Sequence, residues 1–192
     1  MARLHLLCSA STCSVRAAAF PSDEPIDAHG RRSLAGLSGR LPYCERILRS
    51  PALCAAQTAE GLALDATPEP ALRDCDFGRW AGRSLEHVHS QQPDAFADWL
   101  SDPQAAPHGG ESFADVAKRV GVWMDDLPAE AGTVLAITHA AVLRAAIVHA
   151  LGAEPRALLH IDVAPLTRAM ISGGAGHWRL GAIIPPREAR KP

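Results

Sequence analysis

The sequence predicts an α/β fold: a three-layer α/β/α sandwich with a mainly parallel central sheet. Short apolar segments of strand character alternate along the chain with segments of helical apolar spacing, which is the order of a parallel sheet covered on both faces. Two of these strands, residues 3–8 and 133–138, are followed by small polar residues and by His139, respectively. Reactive side chains at the carboxyl ends of strands are typical of open α/β enzymes.

Apolar spacing and end signals predict the helices. They are expected at residues 28–38, 52–63, 84–100 with an interruption near Pro93, 112–127 and 140–151. Pro51 precedes the second of these helices, and Gly152 follows the last one. Ser84 and Ser112 are N-capping residues for the third and fourth.

Short apolar runs between turn residues predict the strands. They are expected at residues 3–8, 45–50, 133–138, 158–164, 168–172 and 177–183. The segments 21–27 and 101–112 are loops because they are rich in Pro, Gly, Ser and Asp, and residues 68–82 are mostly irregular.

Length and composition limit the classes of protein that the chain can form. With 192 residues, of which 47% are hydrophobic, we expect one domain over residues 1–184 and a flexible tail at 185–192. The formal net charge of -2 argues against nucleic acid as a partner. No apolar run reaches the length of a membrane span and no secretory leader is recognised, so we expect a cytoplasmic protein with no membrane partner.

Five segments carry the residues from which a function is inferred. They read LHLLCSAST (4–12), RSPALCAAQTA (49–59), ALRDCDFGRWAG (71–82), PHGGESF (107–113) and VLAITHAAVLR (134–144). In this order they resemble the conserved blocks of the histidine phosphatase superfamily, whose fold is phosphoglycerate mutase-like. The resemblance covers nearly the whole chain, and it implies the same sandwich that the alternation of elements predicts.

The resemblance also shows which groups of that family are missing here. The family's first strand ends in Arg-His-Gly, and its His becomes phosphorylated; the matching residues are Cys8, Ser9 and Ala10. Cys54 stands at the position of a second phosphate-binding Arg. A thiol has neither the charge nor the bidentate donor fork of a guanidinium. Ser9 is a weak nucleophile unless a base lies beside it.

Other groups of the family's site are retained. Asp74 matches the Glu that donates a proton to the leaving group, and His139 matches the second His, which binds phosphate. By position in the blocks we expect the substrate-binding part of the cleft to include Cys8, Ser50, Cys54, Arg79, Glu111 and Ala140. Arg16 and Arg144 are further arginines able to refill the pocket, and Glu111 is also suited to the first turn of the helix that follows it.

The cysteines are expected to be reduced, because their number is five and they form no CxxC pair. Cys8, Cys54, Asp74 and His139 have the ligand types of a zinc site, yet nothing in their spacing is typical of one. A Cys8 nucleophile with His139 as its base is a further alternative that requires contact between the two. We expect no metal ion and no cofactor.

Three functions compete at this stage. In the first, the chain keeps the histidine phosphatase fold, lacks ordinary phosphatase or mutase activity and binds a small-molecule ligand, such as a metabolite, or a partner in the residual cleft. In the second, Asp74 and His139 act as acid and base in a different reaction, such as hydrolysis, dehydration or isomerisation. In the third, the chain is a phosphatase whose nucleophile has been replaced at Ser9. The sequence is compatible with a homodimer and does not identify the ligand.

Overall fold

A computed structural model describes residues 1–37, 39, 41–128 and 130–186 of the chain. Its centre is a six-stranded sheet within these residues, with strand order β3-β2-β4-β1-β5-β6. The strands are β1 (Ala2–Cys8), β2 (Arg46–Arg49), β3 (Thr67–Pro68), β4 (Thr133–Thr138), β5 (Arg168–Gly174) and β6 (His177–Ile184). Strands β3, β2, β4 and β1 pair in parallel, whereas β5 pairs antiparallel with β1 and with β6. The prediction of a mainly parallel sheet is therefore confirmed.

Helices cover both faces of this sheet. They are α1 (Cys13–Arg16), α2 (Ala28–Ala35), α3 (Leu53–Gly61), α4 (Leu85–Gln91), α5 (Pro93–Ser101), α6 (Phe113–Asp125) and α7 (Ala140–Leu151). The break expected near Pro93 separates α4 from α5, and Gly152 ends α7 with a left-handed backbone. Ser112 caps α6 in a reciprocal pair of hydrogen bonds with Asp115. Two predictions fall partly outside the described residues: the end of a helix at Ser38, and a flexible tail at residues 187–192.

The side chains of β4 point alternately to the two faces of the sheet, and the core has one part on each face. Val134 and Ala136 face one side of the sheet and belong to a cluster with residues of α6 and α7. Leu135 and Ile137 face the other side and belong to a cluster with residues of α2 and α3. A strand that is apolar on both faces is what a central parallel strand requires, because helices cover it on each side. None of the helices in the described part of the chain is both long and apolar enough to cross a lipid bilayer.

One predicted strand, residues 158–164, is wrong. This part of the chain forms a 3₁₀ turn at Pro155–His160, followed by irregular backbone. The Ile161 carbonyl accepts a hydrogen bond from Arg144 Nε at 2.7 Å, so a side chain of α7 satisfies it instead of a neighbouring strand.

Asp125, the last residue of α6, binds groups from three other parts of the chain. Its Oδ1 accepts hydrogen bonds from His149 Nε2 at 3.0 Å, from Trp178 Nε1 at 2.8 Å and from the Gly176 backbone N–H at 3.1 Å. Burial raises the pKa of this carboxyl, but the hydrogen bonds from His149 and Trp178 outweigh it, and the net pKa is lowered.

Replacement of Asp125 by Ala is expected to lower the free energy of unfolding by about 1–3 kcal/mol, because the buried Trp178 N–H loses its acceptor. The stabilising contribution of a carboxyl with a lowered pKa is present above its unfolded-state pKa and is lost as pH falls. The difference between wild type and variant should therefore shrink below about pH 4. Denaturant unfolding at several pH values measures it. Asp98→Ala, at an exposed position of α5, is the matched control, and an equal loss in both variants would contradict the role given to Asp125.

Candidate active site

The parallel pairing of three strands brings three chain segments together at one edge of the sheet. The Ser9 N–H donates to the Thr138 carbonyl at 2.7 Å, which continues the β1–β4 ladder by one residue. On the other side of β4, the Ser50 N–H donates to the Ile137 carbonyl at 2.8 Å. Because carboxyl ends of parallel strands meet at the same edge, the residues that follow β1, β2 and β4 lie next to one another.

His139 follows β4 at this edge of the sheet, and a protein side chain lies beside each of its two ring nitrogens. Its Nε2 is 2.8 Å from Ser50 Oγ, and its Nδ1 is 3.5 Å from Asp74 Oδ2. Ser50 is fully buried, and its Oγ also accepts a hydrogen bond from the Ala52 N–H. Ser50 Oγ and the Asp74 carboxylate therefore each lie beside one of the two ring nitrogens. The imidazole is thus oriented by protein groups on both sides.

The thiols beside His139 are buried and uncharged. Burial is the largest cause that raises the pKa of Cys8 to about 12, and the neighbouring Asp74 carboxylate raises it further. Burial likewise raises the pKa of Cys54 to about 11. The Cys54 thiol donates to Ser9 Oγ at 3.7 Å, which is the one hydrogen bond of the Ser9 side chain among the described residues. At neutral pH the two thiols are therefore uncharged, and no base lies within hydrogen-bond reach of the Ser9 hydroxyl in the described chain.

A cavity of about 420 Å³ opens in front of these side chains. Among the described residues, its lining includes three aspartates, Asp23, Asp74 and Asp76, and a single arginine, Arg144. The walls are mainly apolar and include Val15, Phe77, Ala81, Val163 and Pro165. A mostly apolar cavity with a few fixed polar groups is the usual form of a small-molecule site.

The structure brings most of the residues that the sequence singled out into this cavity. Cys8, Ser9, Cys54, Asp74, His139 and Ala140 all line it. Ser50 does not line the cavity but lies behind His139 and orients its ring. Arg79 and Glu111, which the sequence also places in the substrate-binding part of the cleft, do not belong to the lining of this cavity. Arg79 is exposed and follows Gly78 at the start of a 3₁₀ turn.

Glu111 is absent from the cavity because its carboxylate is bound elsewhere. Arg119 of α6 donates to both of its oxygens, from Nε at 2.8 Å and from Nη2 at 2.9 Å. Arg73 donates to the same carboxylate at 2.8 Å, and the Asp76 N–H does so at 3.2 Å. Glu111 therefore fixes the segment that carries Asp74 and Asp76, and it acts on the cavity only through that segment.

Arg119 of α6 also binds the backbone of this segment, and Arg119 and Glu111 together are called the clamp below. Its Nη1 donates to the carbonyls of Ala71 and Arg73 at 2.7 and 3.1 Å, and its Nη2 donates to the Asp74 carbonyl at 3.4 Å. Gly110 lets the clamp close, because a Cβ atom there would collide with the Asp76 carbonyl. The irregular segment that delivers Asp74 is thus held by side-chain bonds to its backbone rather than by a sheet ladder.

Sequence reasoning missed Asp23, Asp76 and Arg119 as parts of the site. The two carboxylates lie in irregular segments, where no apolar periodicity tells which side chain faces inward. For Arg119 the sequence does contain a signal for a contact with Glu111, because Arg119 lies eight residues after Glu111, on the helix that Ser112 caps. Within the described residues, no group of three or more His, Cys, Asp or Glu side chains is placed to hold a metal ion.

Residues 14–183 match the family model of the histidine phosphatase superfamily, branch 1. The chain belongs to the histidine phosphatase superfamily. The matched range begins after the tip of β1, so that Cys8 and Ser9 lie outside it. In this superfamily the positions of Cys8, Ser9 and Cys54 are those for which the sequence resemblance implies Arg, His and Arg.

Two curated relatives come from Mycobacterium tuberculosis. A bifunctional protein is 35% identical over 131 residues, which are 66% of this chain and 36% of that protein. A glucosyl-3-phosphoglycerate phosphatase is 35% identical over 65 residues, which are 34% of this chain and 29% of that protein. The chain therefore spans about a third of the length of these relatives.

Solved structures of superfamily members share the fold. A phosphoserine phosphatase mutant from Entamoeba histolytica in complex with phosphoserine aligns with a TM-score of 0.81 at 20% identity, over 95% of this chain and 96% of that one. A mycobacterial glucosyl-3-phosphoglycerate phosphatase in complex with VO3 aligns with a TM-score of 0.80 at 24% identity, over 97% and 99% of the two chains. At these identities the likeness establishes the shared architecture.

Replacement of Arg119 by Met is expected to lower the free energy of unfolding by about 3 kcal/mol or more, because it leaves the Glu111 carboxylate without its main partner in a poorly exposed position. Arg73→Met is the matched control, since Arg73 pairs with the same carboxylate from an exposed position and should cost less than about 1 kcal/mol. Denaturant unfolding of both variants measures the difference. Equal losses would show that the clamp does not depend on Arg119.

Proposed function

We propose that this histidine phosphatase superfamily member has lost phosphoryl-transfer chemistry and that its cleft binds a small metabolite. The observation that carries the proposal is the set of charged residues in the cavity lining, which among the described residues includes three aspartates, one arginine and His139. Phosphoryl transfer depends on positive groups that stabilise the charge of the equatorial oxygens. Here the side chains at the corresponding positions are neutral thiols and a hydroxyl.

The size of the loss supports the same proposal. One well-placed donor to a developing oxyanion is worth ~3–4 kcal/mol of transition-state stabilisation. By the resemblance, Cys8 and Cys54 each replace a guanidinium, and Ser9 replaces the nucleophile itself. The retained His139 is held between Ser50 and Asp74, so that neither ring nitrogen is free to accept a phosphoryl group without breaking a contact. The intact cavity remains as a binding site.

The triple variant Cys8→Arg, Ser9→His, Cys54→Arg is expected to hydrolyse p-nitrophenyl phosphate, whereas the native chain is expected to show no enzymatic turnover of it. The variant regains the two cations and the nucleophile on a fold that is already in place. Release of p-nitrophenol and acid-labile phosphohistidine at position 9 are the two measurements. The same triple variant with His139→Ala serves as its control.

Because three substitutions at buried positions can prevent folding, the native chain supplies a second measurement. Turnover of a phosphate ester by the native chain that His139→Ala or Asp74→Asn abolishes would overturn the proposal. Circular dichroism of the triple variant establishes whether a negative result on it reflects misfolding or an inactive but folded site.

One observation favours a second candidate function, an acid–base reaction without phosphate. Asp74 Oδ2 and His139 Nδ1 lie 3.5 Å apart, and both side chains line the cavity. A carboxylate that orients an imidazole is a recurrent arrangement for proton transfer. In this function the substrate is an uncharged organic molecule in the cavity, and Asp74 and His139 exchange a proton with it.

Asp74→Asn and His139→Gln should each lower such an activity by about 100-fold or more, since general acid–base groups contribute on that scale. The activity is first sought by incubating the native chain with cell extract metabolites and following changes by mass spectrometry. Arg79→Gln, at an exposed position outside the cavity, is the control and should leave the conversion unchanged. A conversion that survives the double variant Asp74→Ala, His139→Ala would exclude this function.

A further inference from the structure

Among the described residues, Arg144 is the one arginine in the cavity lining, and part of its guanidinium has no hydrogen-bond partner there. It follows His139 by five residues on α7, and its Nε donates to the Ile161 carbonyl at 2.7 Å. This bond ties the guanidinium to the segment that contributes Val163 and Pro165 to the cavity wall. The two terminal nitrogens have no acceptor among the described residues. A planar fork with its Nε fixed and its terminal donors free is suited to bind a carboxylate.

Two carboxylates of the same cavity are also only half used. Asp23 Oδ1 accepts from the Leu53 N–H at 2.8 Å, and Asp76 Oδ1 accepts from the Gly78 N–H at 2.8 Å. The second oxygen of each takes no hydrogen bond or ion pair from the described part of the chain. Asp74, in contrast, uses one oxygen for the Cys75 N–H and the other for His139. In the described part of the lining, Arg144 therefore has free donors, and the exposed Asp23 and Asp76 each have a free oxygen.

We propose that the cleft takes a zwitterion, a small molecule that carries both a carboxylate and an ammonium group on an apolar body, as an amino acid does. The carboxylate pairs with Arg144, and the ammonium pairs with Asp76. The inference rests on the proposed function, because it names the class of metabolite that the remodelled cavity binds. A ligand with a phosphate dianion would place two negative charges in a site where carboxylates outnumber the guanidinium.

The apolar walls of the cavity determine that the uncharged part of the ligand is apolar. Phe77, Val163 and Pro165 line the cavity beside Arg144 and the acidic residues. The volume of about 420 Å³ leaves room for a side chain as large as a phenyl ring. Four probes share one phenethyl body and differ only in charge: L-phenylalanine, 3-phenylpropanoate, 2-phenylethylamine and 2-phenylethyl phosphate.

Titration of the full chain with each probe, followed by protein-observed NMR, gives four dissociation constants. We expect L-phenylalanine to bind about tenfold more tightly than either probe with one charged group, and the phosphate to bind most weakly. If the phosphate binds most tightly, or if none of the four probes binds at millimolar concentration, the inference is wrong.

Two variants test which residue binds the carboxylate of the ligand and which binds its ammonium group. Arg144→Gln should weaken L-phenylalanine and 3-phenylpropanoate by about tenfold and leave 2-phenylethylamine unchanged. Asp76→Asn keeps an acceptor for the Gly78 N–H while it removes the charge, and it should weaken the two amine probes and not 3-phenylpropanoate. Arg156→Gln, which removes an exposed arginine paired with Glu154, is the control and should change none of the four. Loss of all four probes in either cavity variant, without unfolding, would contradict the assignment.

The outcomes distinguish this inference from the proposed function. Tight binding of 2-phenylethyl phosphate without its hydrolysis overturns the zwitterion and leaves the loss of phosphoryl chemistry standing. Binding followed by hydrolysis that depends on His139 overturns both. The predicted order of the four probes, together with no hydrolysis, supports both.

Discussion

The parallel pairing of β1, β4 and β2 is the constraint from which the site follows. Cys8 is in register with Thr138, and Arg49 is in register with Ile137. The next residue of each strand therefore leaves the sheet at the same edge, with Ser9 and His139 beyond one pair and Ser50 beyond the other. A shift of one residue in either pairing would turn the strand tip to the opposite face and separate these side chains. The position of the site is thus a property of backbone hydrogen bonds.

The chemistry of the site is set by different residues from those that build it. The strands are held by backbone ladders and by apolar residues such as Val134 and Leu135 on their two faces. Asp74 comes from an irregular segment, and that segment is held by Arg119 and Glu111. Neither set of contacts uses the side chain of Ser9. Superfamily members of known structure therefore keep the architecture at identities near 20%, and the reactive positions are free to change independently.

Sequence patterns predicted the parts of the fold that depend on local signals. The strands near residues 3–8 and 133–138 are apolar runs with defined ends, and the helices at Ser84, Ser112 and Gly152 carry their own capping signals. The strand expected at 158–164 failed because its outcome depends on a contact with another element. Arg144 of α7 binds the Ile161 carbonyl.

The same distinction applies to the site. The meeting of Ser9 and His139 was predicted because strand ends in a parallel sheet share an edge. The place of Glu111 was not predicted, since which side of its segment faces the cavity depends on Arg119 and on the close contact at Gly110. Asp23 and Asp76 lie on irregular backbone, where neighbours in three dimensions decide the direction of each side chain. Local signals therefore located the cleft, and long-range contacts determined its charge.

The neutral thiols at Cys8 and Cys54 have a consequence for the unliganded protein. An enzyme that clusters several arginines and histidines to grip a phosphate keeps like charges close together when the phosphate is absent, and their mutual repulsion lowers its folding stability. Here small uncharged side chains fill those positions and pack into the two apolar clusters. At these two positions the fold therefore holds no like charges whose repulsion a bound anion would have to offset.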